Sequence, residues 1–151
     1  MILYLDASAL VKRYIAEAGS AEVDQLIAHA QGIGTSVISR AEVAAALAKS
    51  VRIGFLSREE AGAALQVFRA QWADLVRLQL TEVVIARADT QAWEHGLPGY
   101  DAVHLAAALF WQETLSEPVT LATFDHQLWQ AGTMAGLAAW PADWEQFKRN
   151  V

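Results

Sequence analysis

The 151-residue chain contains no cysteine. Disulfide frameworks, thiolate nucleophiles and thiolate metal ligands are thereby excluded, and the chain suits a reducing compartment, so a cytoplasmic location is expected. Proline is scarce, with 3 residues. No Pro-, Gly- or Ser-rich run, repeat or low-complexity segment divides the sequence, so residues 1–151 read as one domain. Cationic charge is short as well. Lys and Arg number 11 against 17 Asp and Glu, a formal net charge of −6, which argues against a broadly basic nucleic-acid binder. Long apolar runs are missing. The longest mostly apolar stretch, 102–111, contains His104 and is far too short to span a bilayer, so no membrane association is expected. The start has no basic region, and Asp6 interrupts the first apolar run, so no signal peptide is expected.

What is present is ample apolar material: 54% hydrophobic residues against 19% charged, the balance of a compact globular protein. "ILYL" (2–5) reads as a buried strand. Residues 8–18 read as a helix ended by Gly19, and Ser20 as the cap of a second helix to about Ala30. "GIGTS" (32–36) reads as a short strand, 36–51 as helix, and Ser57 with Glu60 as a capping box opening a helix to about 72–75. A strand at 75–80 precedes a helix capped by Thr81 and stopped by Gly96 and Pro98; a helix over 99–113 follows. "PVTLAT" (118–123) reads as strand, 125–131 as a short helix, 137–140 as a small strand, and a last helix is expected to start with Pro141 at its first position. Strands alternating with helices imply an α/β fold with a mainly parallel sheet covered on both faces. The small-residue patches 44–46 and 106–108 would let helices sit close to that sheet.

Four acids stand where strands end or helices begin: Asp6 after "ILYL", Glu42 early in its helix, Asp101 in the first turn after Pro98, and Asp125 after "VTLAT". In an open parallel sheet that edge is where ligands bind. Each acid has an ordinary alternative. Asp6 reads equally as an N-cap, Glu42 as the partner of Ser39 in a capping box, and Asp101 and Asp125 as first-turn acids complementing the helix dipole. Those alternatives leave the shared edge unexplained. Two carboxylates about 5 Å apart repel by roughly 3 kcal/mol at an effective dielectric near 20. Four converging carboxylates must therefore protonate or enclose a cation. An all-oxygen set without cysteine favours a hard ion, Mg²⁺ or Mn²⁺. Such sites hydrolyse phosphodiesters. Two bound Mg²⁺ would cancel most of the charge of −6, so the acidic balance does not exclude RNA.

"YLDASALVKRY", "SRAEVAAAL", "GYDAVHLAAAL" and "LATFDHQL" closely resemble, in order, the four acidic motifs of the PIN domain, and most closely those of VapC-like ribonuclease toxins. The resemblance runs over about residues 1–140. It implies a PIN-like three-layer α/β/α domain whose metal site comprises Asp6, Glu42, Asp101 and Asp125. Thr123 would orient a water or an acid, and Ser8 matches the family's hydroxyl two residues after the first Asp. It further implies an Mg²⁺- or Mn²⁺-dependent endoribonuclease acting on RNA, with tRNA or ribosomal RNA as the expected target. Homodimerisation and a cognate antitoxin partner are also implied.

Lys12, Arg13 and Arg40 are candidates for contacting RNA phosphates, with Lys49 and Arg52 further along. His104 shares a helix face with Asp101 and reads as a packed structural residue. His126 reads as exposed. The six tryptophans read mostly as core or interface, and Leu65, Phe68 and Trp72 as an apolar stripe suited to a partner. Two other functions fit parts of the pattern. A non-catalytic PIN-like binding module would be expected to have lost acids, yet all four are present. A haloacid-dehalogenase-like metal-dependent phosphohydrolase needs a second acid two residues after the first, where this chain has Ser8.

Overall fold

The structure, a computed structural model, describes residues 1–150. Along the chain lie β1 (Ile2–Leu5), α1 (Ala7–Leu10), α2 (Ser20–Ala28), β2 (Gly32–Ser36), α3 (Ser39–Arg52), α4 (Arg58–Gln71) and β3 (Val76–Leu78). They are followed by α5 (Glu82–His95), α6 (Gly99–Leu115), β4 (Val119–Ala122), α7 (His126–Met134), β5 (Ala138–Trp140) and α8 (Trp144–Asn150). The five strands form one sheet in the order β3-β2-β1-β4-β5, and every pairing is parallel. Among the described residues no helix is long and apolar enough to cross a membrane.

The alternation of a strand divides the core. Leu3 and Leu5 of β1 point to one face, where they pack with Leu10, Val43, Leu47, Phe68 and Trp72 from α1, α3, α4 and the turn after it. Tyr4 points to the other, among Leu105, Leu109 and Trp111 of α6, with Val84 of α5 and Leu128 of α7. Helices thus cover both faces in the three-layer α/β/α arrangement expected.

α6 lies close on the sheet. Ala106, Ala107 and Ala108 are fully buried, and Trp111 packs over Gly34 of β2. The patch at 44–46 behaves differently. Ala45 is exposed and its neighbours line surface grooves, because α3 turns its larger residues Val43 and Leu47 inward.

Four local expectations are corrected. The helix expected over 8–18 is only the short α1 and a 3-10 turn, Val11–Arg13; Gly19, at φ 88°, precedes α2 as its N-cap instead of closing the first helix. Ser39 and Glu42 make no capping box: Ser39 is buried and its Oγ lies 2.7 Å from the Thr35 hydroxyl. Pro141 lies before α8, whose first turn is held by Asp143 accepting from the Gln146 N–H at 2.9 Å. The Leu65–Phe68–Trp72 stripe is not one continuous partner surface: Phe68 is fully buried and stacks edge-on with Tyr14 and Trp72, and Leu65 lines a surface groove. The Ser57–Glu60 capping box and the Thr81 and Gly96 caps of α5 form as expected.

A Cβ at Gly34 would stand 2.6 Å from the Trp111 ring. Trp111 is nearly fully buried and has little room to yield, so Gly34→Ala is expected to destabilise the fold by about 1–3 kcal/mol in urea melting. A variant as stable as the parent would show that α6 can lift from the sheet.

Candidate active site

From β1 the chain first adds β2 and β3 on one side, then returns to place β4 and β5 on the other. At such a switch point the connections leave neighbouring strand ends in opposite directions and a crevice opens at their carboxyl ends. Asp6 emerges there from β1, and Thr123 and Asp125 from β4; the Asp6 N–H donates to the Ala122 carbonyl at 3.2 Å, tying the two strand ends together.

Asp6 is only 3% exposed, and its carboxylate is fully provided for. The Ser8 hydroxyl reaches Oδ1 and Oδ2 at 2.7 and 2.8 Å, the Ala9 N–H donates to Oδ1 at 2.9 Å, and the Thr123 hydroxyl donates to Oδ2 at 2.7 Å. The cap reading of Asp6 is therefore correct as geometry, since the Ala9 bond caps α1. Burial still pushes its pKa above the usual carboxylate value; nearby His104 and these donors oppose the rise. Ser8 and Thr123 are linked onward. Ser8 Oγ accepts from the Phe124 N–H at 2.9 Å and Thr123 Oγ1 from the Asp125 N–H at 3.0 Å. The Thr123 hydroxyl, expected beside a water or an acid, thus lies on the Asp6 carboxylate and under the Asp125 N–H.

Asp125 is also a cap, accepting from the Leu128 N–H through Oδ1 at 2.9 Å. Asp101 is neither capped nor paired. It is buried in the first turn of α6, and no hydrogen bond from the described residues offsets that burial. Burial, and then the charges of Asp125, Asp6 and Glu42, raise its pKa to about 6 against His104, which acts the other way. The four acids expected to meet are therefore close enough to repel. They are not drawn to one point: among the described residues no three His, Asp or Glu side chains stand ready to grip an ion. Glu42 Oε1 is held by His104 Nε2 at 2.7 Å.

The donor set nonetheless fits a hard divalent cation. It is all oxygen, and Asp101, with one oxygen each of Glu42 and Asp125, is left without a protein donor and able to turn toward positive charge. His104 is packed, as its sequence reading expects, and it also links Tyr4 to Glu42, a connection the sequence did not reveal. His104 is buried, and its Nδ1 lies 2.9 Å from the fully buried Tyr4 hydroxyl. The available signal was the spacing of three from Asp101, which sets both on one face of α6.

The basic candidates separate. Lys12 is used internally: its Nζ bonds to Glu17 at 3.0 Å and the Ala18 carbonyl at 2.7 Å and sits 4.2 Å from the centre of the Phe124 ring. Arg13 and Arg40 are exposed, Arg40 lying over Trp72. Lys49 and Arg52 line a groove of about 620 Å³ together with Ser8, Glu42 and Tyr100. His126 is exposed but not idle, stacked on Trp144 with ring centres 4.8 Å apart.

Residues 3–132 match the family profile of the PIN domain. The chain is 34% identical over 142 residues to Ribonuclease VapC45 of Mycobacterium tuberculosis, which covers 93% of this chain and 96% of the relative. Among solved structures it resembles PAE2754 from Pyrobaculum aerophilum, with a TM-score of 0.64 at 21% identity over 99% of this chain and 96% of that one. It also resembles VapBC2 from Rickettsia felis, solved bound to a DNA fragment from their promoter, with a TM-score of 0.62 at 17% identity over 92% and 97% of the two chains. At those identities the structural likeness is one of fold.

The raised pKa of Asp101 carries a sign. Above about pH 6 the folded chain holds a charge its surroundings disfavour, whereas the unfolded carboxyl ionises near its ordinary 3.8. Stability from this group is therefore gained as pH falls from about 6 toward 4 and lost as pH rises. In EDTA at pH 7, Asp101→Asn is expected to melt higher than the parent by about 1–3 kcal/mol. That advantage should vanish near pH 4 and shrink when millimolar Mn²⁺ is added. A variant that melts lower than the parent in EDTA at pH 7 would make Asp101 an ordinary structural acid.

Proposed function

The chain belongs to the PIN-domain family, and from that premise we propose that its acidic crevice is the active site of a divalent-cation-dependent endoribonuclease, the toxin of a toxin–antitoxin pair. The observation that carries the reading is Asp101, a largely buried residue whose carboxylate has no hydrogen-bond donor among the described residues and lies near three other acids at the switch point of the sheet. The 34% identity to a protein named as a ribonuclease, over nearly all of both chains, supports the same reaction here.

Asp6, Glu42, Asp101 and Asp125 would hold the cation, Mg²⁺ or Mn²⁺. When bound, such an ion supplies acidification of water for attack on phosphorus and neutralisation of charge on the phosphate and the departing oxygen. The protein's part is placement. Ser8, the Ala9 N–H and Thr123 hold the Asp6 carboxylate on two strands at once, so it keeps one orientation through the reaction. Asp101, together with the second oxygen of Asp125 and of Glu42, brings carboxylate oxygens that have no donor among the described residues. Ser8, which would have to be an acid for haloacid-dehalogenase-like phosphohydrolase chemistry, is spent on Asp6.

Structured RNA, tRNA or ribosomal RNA, is the substrate. Its phosphates run along the groove where Lys49 and Arg52 flank Glu42, with Arg13 and Arg40 as outlying contacts. A cognate antitoxin and a second copy of the chain are the protein partners. An apolar groove of about 210 Å³ between α3 and α4, lined by Ala44, Leu47, Val51, Ala61 and Leu65, offers the antitoxin a surface. Trp93, 90% exposed, offers one to the second copy.

Protein purified free of antitoxin is expected to cleave a structured RNA with Mg²⁺ or Mn²⁺ and to stop in EDTA, with Asp6→Asn at background. Cleavage that persists in EDTA overturns the mechanism.

Lys49→Ala and Arg52→Ala are each expected to raise KM while leaving kcat unchanged, and to flatten the salt dependence of RNA binding by about one phosphate contact. A fall in kcat at constant KM would remove these residues from the RNA path.

A further inference from the structure

Glu42 is an acid of the crevice whose carboxylate is held by a side chain from another helix. Asp6 and Asp125 are fixed by the N–H groups of the helices they cap, and Asp101 rides on the first turn of α6. Glu42 rides likewise on the first turn of α3, where the hydroxyl in capping-box position, Ser39, has turned inward to Thr35 and leaves its carboxylate to other partners. A glutamate has one more rotatable bond than an aspartate and needs an anchor to keep one orientation. The partner recorded on its carboxylate is His104 Nε2, at 2.7 Å from Oε1.

His104 can act as that anchor because it cannot move. It is 1% exposed, and its second nitrogen lies 2.9 Å from the Tyr4 hydroxyl, itself fully buried in β1 at the middle of the sheet. The Tyr4 and His104 rings meet edge to face, with centroids 5.9 Å apart. A phenol has one proton. With that proton directed to Nδ1, the ring carries its own on Nε2 and donates it to Glu42. Tyr4, His104 and Glu42 thus form a string from the central strand to the crevice, crossing from β1 through α6 to α3.

We propose that His104, backed by Tyr4, is a positioning residue that fixes the Glu42 carboxylate in the active site. The role rests on the ribonuclease reading above and adds to it. A histidine retained only for packing would satisfy Tyr4 and leave catalysis indifferent to its link with Glu42. α6 then serves the site twice, presenting Asp101 directly and aiming Glu42 from one turn further along.

A double-mutant cycle separates the two roles. His104→Leu removes the string, His104→Gln keeps a donor, and Tyr4→Phe removes only the far anchor; each is also made in a Glu42→Gln background. Folding is checked by circular dichroism, kcat and KM are measured on a tRNA, and Mn²⁺ binding is measured by calorimetry without RNA. His104→Leu is expected to lower kcat and Mn²⁺ affinity by about 10–100-fold with KM for RNA unchanged. His104→Gln should stay within about threefold of the parent and Tyr4→Phe fall between. In the Glu42→Gln background the further loss should be under about twofold. If His104→Leu does not fold, Tyr4→Phe and His104→Gln complete the cycle. Losses of equal size in both backgrounds overturn the positioning role. A parent that cleaves no RNA overturns the ribonuclease reading instead; the positioning role then stands or falls on whether the same non-additivity appears in Mn²⁺ affinity.

Discussion

A carboxylate withdrawn from water at the end of a central strand is costly unless donors replace the lost solvent, and much of the local structure around β1 meets that requirement at Asp6. α1 begins where it does because the Ala9 N–H binds Asp6. Ser8 and Thr123 commit their hydroxyls to the same group, and through them the Phe124 and Asp125 backbone is drawn in at the end of β4. The two strands that flank the switch point are thereby locked together by one charge. A group held this way has no freedom left to adjust, so the adaptable oxygens of the crevice must come from the other three acids.

Those three are held in graded fashion. Asp125 is half committed to capping α7, Glu42 is held through one oxygen by a histidine, and Asp101 is unattended. The gradient explains how the crevice combines electrostatic strain with stability. Burial, and then the charges of its neighbours, raise the pKa of the acid with fewest restraints, Asp101, and the charges of Asp6 and Glu42 are felt as far as Tyr4 in the core.

The order of strands and helices and the two-sided sheet were legible because buried parallel strands and capped helices leave strong local signals: "ILYL", the Ser57–Glu60 box, Thr81 and Gly96 all act as their sequence suggests. Failures came where tertiary contacts override local pattern. "SRAE" has the form of a capping box, but Ser39 finds a better partner in Thr35 on the neighbouring strand. The 8–18 helix breaks early, beside Lys12, which reaches the Ala18 carbonyl and the Phe124 ring. The four acids of the site were visible as residue types at strand ends. Asking whether each was a cap or a site residue offered a false choice, since Asp6 and Asp125 are caps that face the crevice. The hydrogen-bond partners of His104 were hidden because Tyr4 and Glu42 lie 100 and 62 residues away in sequence.

The hydroxyl that completes the Asp6 cradle belongs to Thr123, 117 residues further along the chain, and the strand delivering it is the fourth of five to be synthesised. A ribosome making this protein has already released most of the polypeptide before β4 exists. Until then β1 can pair with β2 but not with β4, Asp6 lacks its Thr123 donor, and Asp125 is still inside the exit tunnel or not yet translated. The order of translation therefore leaves the acidic crevice incomplete until the β4 segment has been made, however early the first three strands are in place.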